Sequence, residues 1–143
     1  MFFRTVVDTN VVLAAQKTRT EGSPNAELIQ RWRASEFVWL YSGDILTEYV
    51  EKLLEHDIAP TLATRLINEI AVLGETVRIG FFHLRHYPVD SDDTPFLLVA
   101  LNGGATHLVT YDGHLEEAGV FYPEFKTCGP LEFLQDLRRG WGG

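Results

Sequence analysis

Apolar positions along the chain follow strand-like runs and helix-like stripes in turn. Phe3 to Val7 reads as a buried strand that stops at Asp8-Thr9-Asn10, before apolar residues resume at Val11-Val12-Leu13-Ala14-Ala15. After a polar stretch rich in Thr and Gly, Ser23-Pro24 provides the N-cap and first-turn proline of a helix running to about Ala34. Phe37 to Tyr41 is a second short strand. Ile45, Leu46, Tyr49, Val50, Leu53 and Leu54 then recur at the spacing of one helical stripe, and Leu62, Leu66, Ile70 and Leu73 repeat it in a third helix. Gly74 ends that helix, and Thr76 to Ile79 follows as a third strand, with Phe81-Phe82 as its extension. A polar, acidic loop from Pro88 to Thr94 leads into a helix over Pro95 to Leu101, stopped by Asn102-Gly103-Gly104. Leu108 to Thr110 is a fourth strand, Phe125 to Cys128 a fifth, and Leu131 to Arg139 a last helix entered through Pro130.

Strands alternating with helices at these lengths predict an α/β domain: a mainly parallel sheet of four to five strands flanked by helices. Residues 1–139 are read as one domain and 140–143 as a flexible tail. In open parallel sheets, ligands bind beyond the carboxyl ends of the strands, where connections change direction. The acids obey that rule. Asp8 follows strand one, Asp92-Asp93 opens the helix before strand four, Asp112 follows strand four, and Glu48 sits one turn into the helix after strand two. Asp8 poses a question of its own, because a carboxylate between apolar runs costs several kcal/mol unless it is paired, hydrogen-bonded or bound to metal. Arg4, the nearest cation in sequence, is about 13 Å away along an extended strand.

Composition narrows the function. A net charge of −8 argues against a protein that grips nucleic acid through a broad basic surface, although divalent cations in an acidic site would supply a local positive field. The remaining cations are scattered, with Lys17 and Arg19 together, Arg31 and Arg33 on one helix, and Arg138-Arg139 near the end. Cys128 is alone, which removes any internal disulfide or multi-cysteine zinc site and favours a reducing, cytoplasmic setting. No signal peptide or membrane span is apparent, so a soluble protein is expected.

Taken singly, each acid has a structural explanation. Asp8, Thr9 and Asn10 could cap the turn that follows them. Glu48 shares its helix with Glu51, Lys52 and Glu55, as on a solvated face; Asp92 and Asp93 suit a helix N-terminus; Asp112-Gly113 could be a turn. Their coincidence at one sheet edge outweighs these readings. Clustered carboxylates repel unless a cation lies between them, and an all-oxygen donor set suits Mg²⁺ or Mn²⁺, one or two ions, which serve phosphodiester hydrolysis.

The segments Val6-Val7-Asp8-Thr9-Asn10-Val11, Leu46-Thr47-Glu48-Tyr49, Asp90-Ser91-Asp92-Asp93-Thr94-Pro95-Phe96 and Leu108-Val109-Thr110-Tyr111-Asp112, in that order, resemble the PIN-domain ribonucleases. Their spacing is similar to that of the toxin branch of prokaryotic toxin–antitoxin pairs. The resemblance spans about residues 1 to 135 and implies a three-layer α/β/α, PIN-like fold and a metal-dependent endoribonuclease. It maps the catalytic acids onto Asp8, Glu48, Asp93 and Asp112, with Asp8 and Asp93 as principal metal ligands, Glu48 positioning a water, and Asp112 as an outer or second-metal ligand. Thr9, Asn10, Thr110 and Asp92 fall at supporting positions; Asn10 would orient Asp8 or a water, and Thr110 would hydrogen-bond a carboxylate or phosphate. The resemblance also implies an RNA substrate, a cognate antitoxin protein and a homodimer, for which the helices over Ile45–Leu54 and Leu62–Leu73 offer surfaces. The sequence departs from the pattern at Tyr111, where relatives often carry a small residue, and at Gly113-His114, where they often carry a charged pair.

Three other readings fit less well. A phosphoacceptor signalling domain would use Thr110 and Lys126 but needs an acid at the end of strand three, where Thr76 to Phe81 offers none. A haloacid-dehalogenase-type phosphatase needs an Asp two residues after Asp8, and that residue is Asn10. A non-catalytic RNA- or protein-binding module would have little reason to gather unpaired carboxylates.

Overall fold

The computed structural model describes residues 2–17 and 22–140; Arg19, most of the Thr18 to Ser23 loop and the tail beyond Gly140 lie outside them. Among the described residues, β1 (Arg4–Val7), β2 (Val38–Tyr41), β3 (Glu75–Thr76), β4 (His107–Val109) and β5 (Lys126–Cys128) pair in parallel, in the order β3-β2-β1-β4-β5. Consecutive side chains on a strand point to opposite faces. Val6 and Val7, Trp39 and Leu40, and Leu108 and Val109 are adjacent pairs that are all fully buried. Both faces of the sheet are therefore covered, as expected of parallel strands, and the fold is three-layered.

The covering helices are α1 (Thr9–Lys17), α2 (Pro24–Arg33), α3 (Gly43–Glu55), α4 (Pro60–Leu73), α5 (Thr94–Asn102), α6 (Gly113–Gly119) and α7 (Pro130–Arg139), with a 3-10 turn at Ser91–Asp93. α1 packs on α2 and α3, α2 on α7, α3 on α4, and α5 lies across β1, β2 and β4. None of the described helices is long and apolar enough to cross a membrane. Ser23 caps α2 as expected, its hydroxyl accepting from Ala26 N–H at 3.1 Å.

The structure adds two helices to those expected and shortens the third strand. The apolar run after Asp8 is a helix: the Asp8 carbonyl accepts from the Val11 and Val12 amides and so starts α1. Asp112-Gly113 is the start of α6, the Asp112 side chain accepting from His114 N–H at 2.9 Å. The third strand is only two residues long, because Val77 N–H takes the carbonyl of Tyr41, where β2 ends. Phe81-Phe82 does not extend it; the amides of Gly80 and Phe81 bond instead to Asn102 Oδ1, at 2.9 and 3.2 Å.

The apolar stripes of α3 and α4 also prove less available to a partner than the sequence suggests. Ile45, Tyr49, Leu53, Leu66 and Ile70 are buried in the core, which leaves Leu54, Leu62 and Leu73 of those stripes outward. Leu66, in particular, is not a surface position.

An aromatic column fixes the end of β1. Trp39 meets Trp32 and Tyr49 edge to face, with ring centroids 4.8 and 6.2 Å apart, and Tyr49 leans on Phe96. The Tyr49 hydroxyl donates to the carbonyl of Val7, the residue before Asp8, and lies 3.4 Å from Trp39 Nε1. Tyr49→Phe removes both bonds from a buried site while keeping the ring. The expected cost is about 1–3 kcal/mol, measured as a lower urea midpoint with an unchanged slope.

Candidate acidic site

β1 and β4 are neighbours, yet the chain leaves β1 toward β2 on one side and β4 toward β5 on the other. Such a switch opens a crevice at the carboxyl ends of the two strands. Asp8 and Thr110, the first residues past each strand, face one another across it. Asp8 N–H continues the ladder to the Val109 carbonyl at 2.9 Å. The Thr110 hydroxyl donates to Asp8 Oδ2 at 2.6 Å and accepts from Asp112 N–H at 2.9 Å, while Asp8 Oδ1 accepts from Thr9 N–H at 2.8 Å. Asp8 is 5% exposed and none of its hydrogen bonds comes from a cation. Arg4 is engaged elsewhere, with Glu75 and the Gly103 carbonyl.

Two further segments bring acids to this crevice. α3 carries Glu48, which accepts from the Thr9 hydroxyl and so joins the second turn of α3 to the first residue of α1. The 3-10 turn carries Asp93, and Asp90 caps that turn by accepting from Asp92 N–H at 2.9 Å. Asp93 is 7% exposed, makes no side-chain cap, and its Oδ2 has no hydrogen-bond partner among the described residues. Asp8, Glu48, Asp90, Asp92, Asp93 and Asp112 all line one cleft of about 280 Å³, together with Thr9, Asn10, Leu13, Lys52 and His56.

The electrostatics follow from burial and like charge. Burial raises the Asp8 carboxyl above its ordinary range, Thr110 and Thr9 pull it back by hydrogen bonding, and the charges of Asp112 and Asp90 raise it again. Glu48 is raised by burial and by Asp8 and Asp92, against the Thr9 bond. Asp93 is pushed up to about 7, first by burial and then by Asp8, Asp112 and Asp90.

These bonds separate structural roles from the rest. Asp90 and Asp112 are caps as well as cleft residues, whereas Asp93 caps nothing. Asn10 lines the cleft, and its Oδ1 accepts from Tyr111 N–H at 3.3 Å, which ties the first turn of α1 to the loop after β4. Thr110 does hydrogen-bond a carboxylate. Lys126 begins β5, at the sheet edge opposite the acids, and binds Asp136 and Glu132 at 3.0 and 3.2 Å, which removes it from any phosphoacceptor arrangement. Lys52 and His56 also line the cleft, and the sequence signal for them is helical spacing, four and eight residues after Glu48.

Among the described residues no group of three or more acid, histidine or cysteine side chains is placed so that it could hold a metal ion as it stands. The chemistry of the donors nevertheless fits a hard divalent cation. The carboxylate donors are all oxygen, Asp93 Oδ2 lacks any donor, and Asp8, Glu48 and Asp93 all resist ionisation because of burial and the neighbouring acids of the cleft. A bound cation would give the Asp93 oxygen a partner and offset the repulsion among the acids.

Residues 4–114 match the PIN domain family. Two solved structures share the fold. VapC20 of Mycobacterium tuberculosis, a sarcin-ricin loop cleaving toxin, is 16% identical with a TM-score of 0.57 over 80% of this chain and 95% of its own. VapBC2 from Rickettsia felis, bound to a DNA fragment from its promoter, is 11% identical with a TM-score of 0.58 over 87% and 97%. No curated protein sequence matches the chain. The family match takes in β1, β4 and all six acids of the cleft, and the chain belongs to the PIN-domain family.

Proposed function

We propose that this chain is a metal-dependent endoribonuclease that hydrolyses RNA phosphodiester bonds at the acidic cleft, with Mg²⁺ or Mn²⁺, and that it acts in the cytoplasm as the toxin of a toxin–antitoxin pair. The observation that carries the nuclease reading is the buried Asp93 carboxylate, one oxygen of which no donor reaches, in a cleft shared with Asp8 and four other acids. Membership of the PIN-domain family and the likeness to VapC20 support RNA as substrate; the likeness to VapBC2 supports an antitoxin partner. A homodimer is proposed from the family resemblance, with Leu54, Leu62 and Leu73 as its outward apolar positions.

Asp8 and Asp93 would hold the ion, with Asp112 and Glu48 completing the site. When bound, it supplies Lewis-acid activation of water and charge neutralisation at the phosphate. The protein's own contribution is orientation. Thr110 fixes Asp8 Oδ2 and, through the Asp112 amide, the start of α6, so that one hydroxyl sets two acids relative to each other. Glu48, steadied by the Thr9 hydroxyl, faces the cleft from α3 and positions the attacking water. The buried apolar residues behind Asp8 and Asp93, Val7 and Phe96, keep bulk water from the back of the site.

Asp8→Asn should retain the far-UV circular dichroism of the parent and lose roughly 10³-fold in Mn²⁺-dependent RNA cleavage, since several kcal/mol of transition-state stabilisation depend on the ion. Undiminished cleavage by that variant would sink the assignment. Mn²⁺ stabilisation of the parent without cleavage of any RNA would favour a binding module instead.

Thr110→Val keeps the shape and removes the shared hydroxyl. It is expected to lower Mn²⁺ affinity or cleavage by about 10–100-fold, with Thr110→Ser retaining most of both in a titration followed by thermal unfolding.

Asp93 also makes a pH prediction for the metal-free protein. Its folded value, about 7, lies above its ordinary value of 3.8. Below the lower value both states are protonated and there is no penalty. As pH rises through the window the unfolded carboxyl ionises first, so the folded state loses stability until the window closes near pH 7. The thermal midpoint in chelator, taken relative to that of Asp93→Asn at each pH, should therefore fall across this range. That variant should also lose most of the Mn²⁺-induced rise in midpoint.

A further inference from the structure

α1 and α3 are tied to each other at two places. At the acidic end, Thr9 bonds Glu48; eight residues further along each helix, Lys17 Nζ lies 3.1 Å from His56 Nδ1. Equal offsets mean that the helices run parallel and side by side, and their rise puts the second tie about 12 Å from the first. Lys52 sits between, four residues after Glu48, on the same face of α3 as His56. Lys52 and His56 line the same cleft as the acids, where Lys52 is the one lysine or arginine among the lining residues. The groove thus runs from carboxylates at its floor to basic groups at its far end.

Cations in the last turn of a helix are favoured by its dipole alone, and Lys17 and Lys52 both occupy such positions. The dipole does not explain why the lysine of one helix meets the histidine of the other, or why Lys52 faces the cleft. Nor is Lys52 strongly engaged. The link from Lys52 to Glu55 is a 3.3 Å pair between side chains 43% and 59% exposed, the kind that contributes little and exchanges readily. Two lysines and an imidazole thus gather beside an acidic centre, on a chain of net charge −8.

We propose that the α1–α3 groove is a track for the RNA backbone, in which Lys17, Lys52 and His56 bind phosphates flanking the scissile one. The proposal rests on the nuclease reading for its substrate, and it adds a direction: the strand leaves the acidic centre along α3 toward its C-terminal end. The track reads no base. It holds an extended single strand, which brings several phosphates in line, in preference to an acidic peptide, whose carboxylates would add to the repulsion of the cleft floor.

The test measures binding of a short fluorescein-labelled single-stranded RNA by anisotropy, with Ca²⁺ as the divalent ion and a salt titration. Lys17→Gln/Lys52→Gln should bind roughly ten- to thirtyfold more weakly at low salt, and the slope of log affinity against log salt should fall by about 1.4, two cations at about 0.7 each. Lys17→Arg/Lys52→Arg should restore both. An unchanged affinity and slope in the Gln pair would overturn the track. So would weaker binding with an unchanged slope, a failure of the Arg pair to rescue, or a Gln pair that loses polyglutamate binding and keeps RNA binding. The two readings fail separately. Lysine-dependent binding by a wild-type protein that cleaves no RNA in Mn²⁺ leaves the track and removes the nuclease, while lysine-independent binding with cleavage does the reverse.

Discussion

The mutual repulsion of carboxylates held out of water governs this fold. Asp8 and Asp93 are both nearly buried, and Glu48 and Asp112 stand close enough to shift them or be shifted by them. Repulsion of this kind grows as the local dielectric falls, so the arrangement persists only because the surrounding structure leaves the acids nowhere else to go. Asp8 is held through its backbone by Val109, through one carboxylate oxygen by Thr110 and through the other by Thr9. Asp93 is delivered by a turn that Asp90 caps and that continues directly into α5, across the centre of the sheet.

The restraint on the site comes from the core. Val7, immediately before Asp8, accepts from Tyr49; Tyr49 packs between Trp39 and Phe96; Phe96 is the third residue after Asp93. The aromatic column therefore touches the supports of Asp8, of Asp93 and of Glu48, which immediately precedes Tyr49. Packing that determines stability also fixes the spacing of the carboxylates, because interiors at this density do not shift continuously. A similar economy appears at α6, where a Cβ on Gly119 would meet the Thr127 hydroxyl at 2.2 Å. Only glycine lets α6 lie so close to β5, and α6 is the helix that Asp112 starts.

Much of this could be read from the sequence, for reasons particular residues make plain. Ser23-Pro24 announces α2, the stripes from Ile45 and Leu62 announce α3 and α4, and Asn102-Gly103 ends α5 on time. α1 and α6 were hidden. The apolar run Val11 to Ala15 has no period of its own, and α6 is seven residues framed by Gly113 and Gly119. β3 looked longer because β-rich residues continue past Thr76, but pairing is set by the partner, and β2 ends at Tyr41. The rule that sites lie at the carboxyl edge of parallel strands brought Asp8, Glu48, Asp93 and Asp112 together, and they line one cleft. Individual bonds did not follow from it: Asn10 and Thr110 stand at equivalent-looking positions, yet one holds a backbone amide and the other a carboxylate.

The net charge of −8 then acquires a consequence beyond solubility. A metal-free cleft with six acids opposes the approach of a phosphodiester, and the basic groups of α1 and α3 stand at its far end rather than over its floor. On the proposed reading, a divalent cation changes the sign of the local field where Asp8 and Asp93 meet, and only then does the field run favourably from the basic end to the centre. Metal and RNA binding are thereby coupled, and linkage makes the coupling reciprocal: whatever the ion contributes to holding RNA, bound RNA contributes equally to holding the ion. An acidic surface elsewhere suits such a device, because it suppresses nonspecific adsorption of nucleic acid and leaves the loaded cleft as the favourable point of entry.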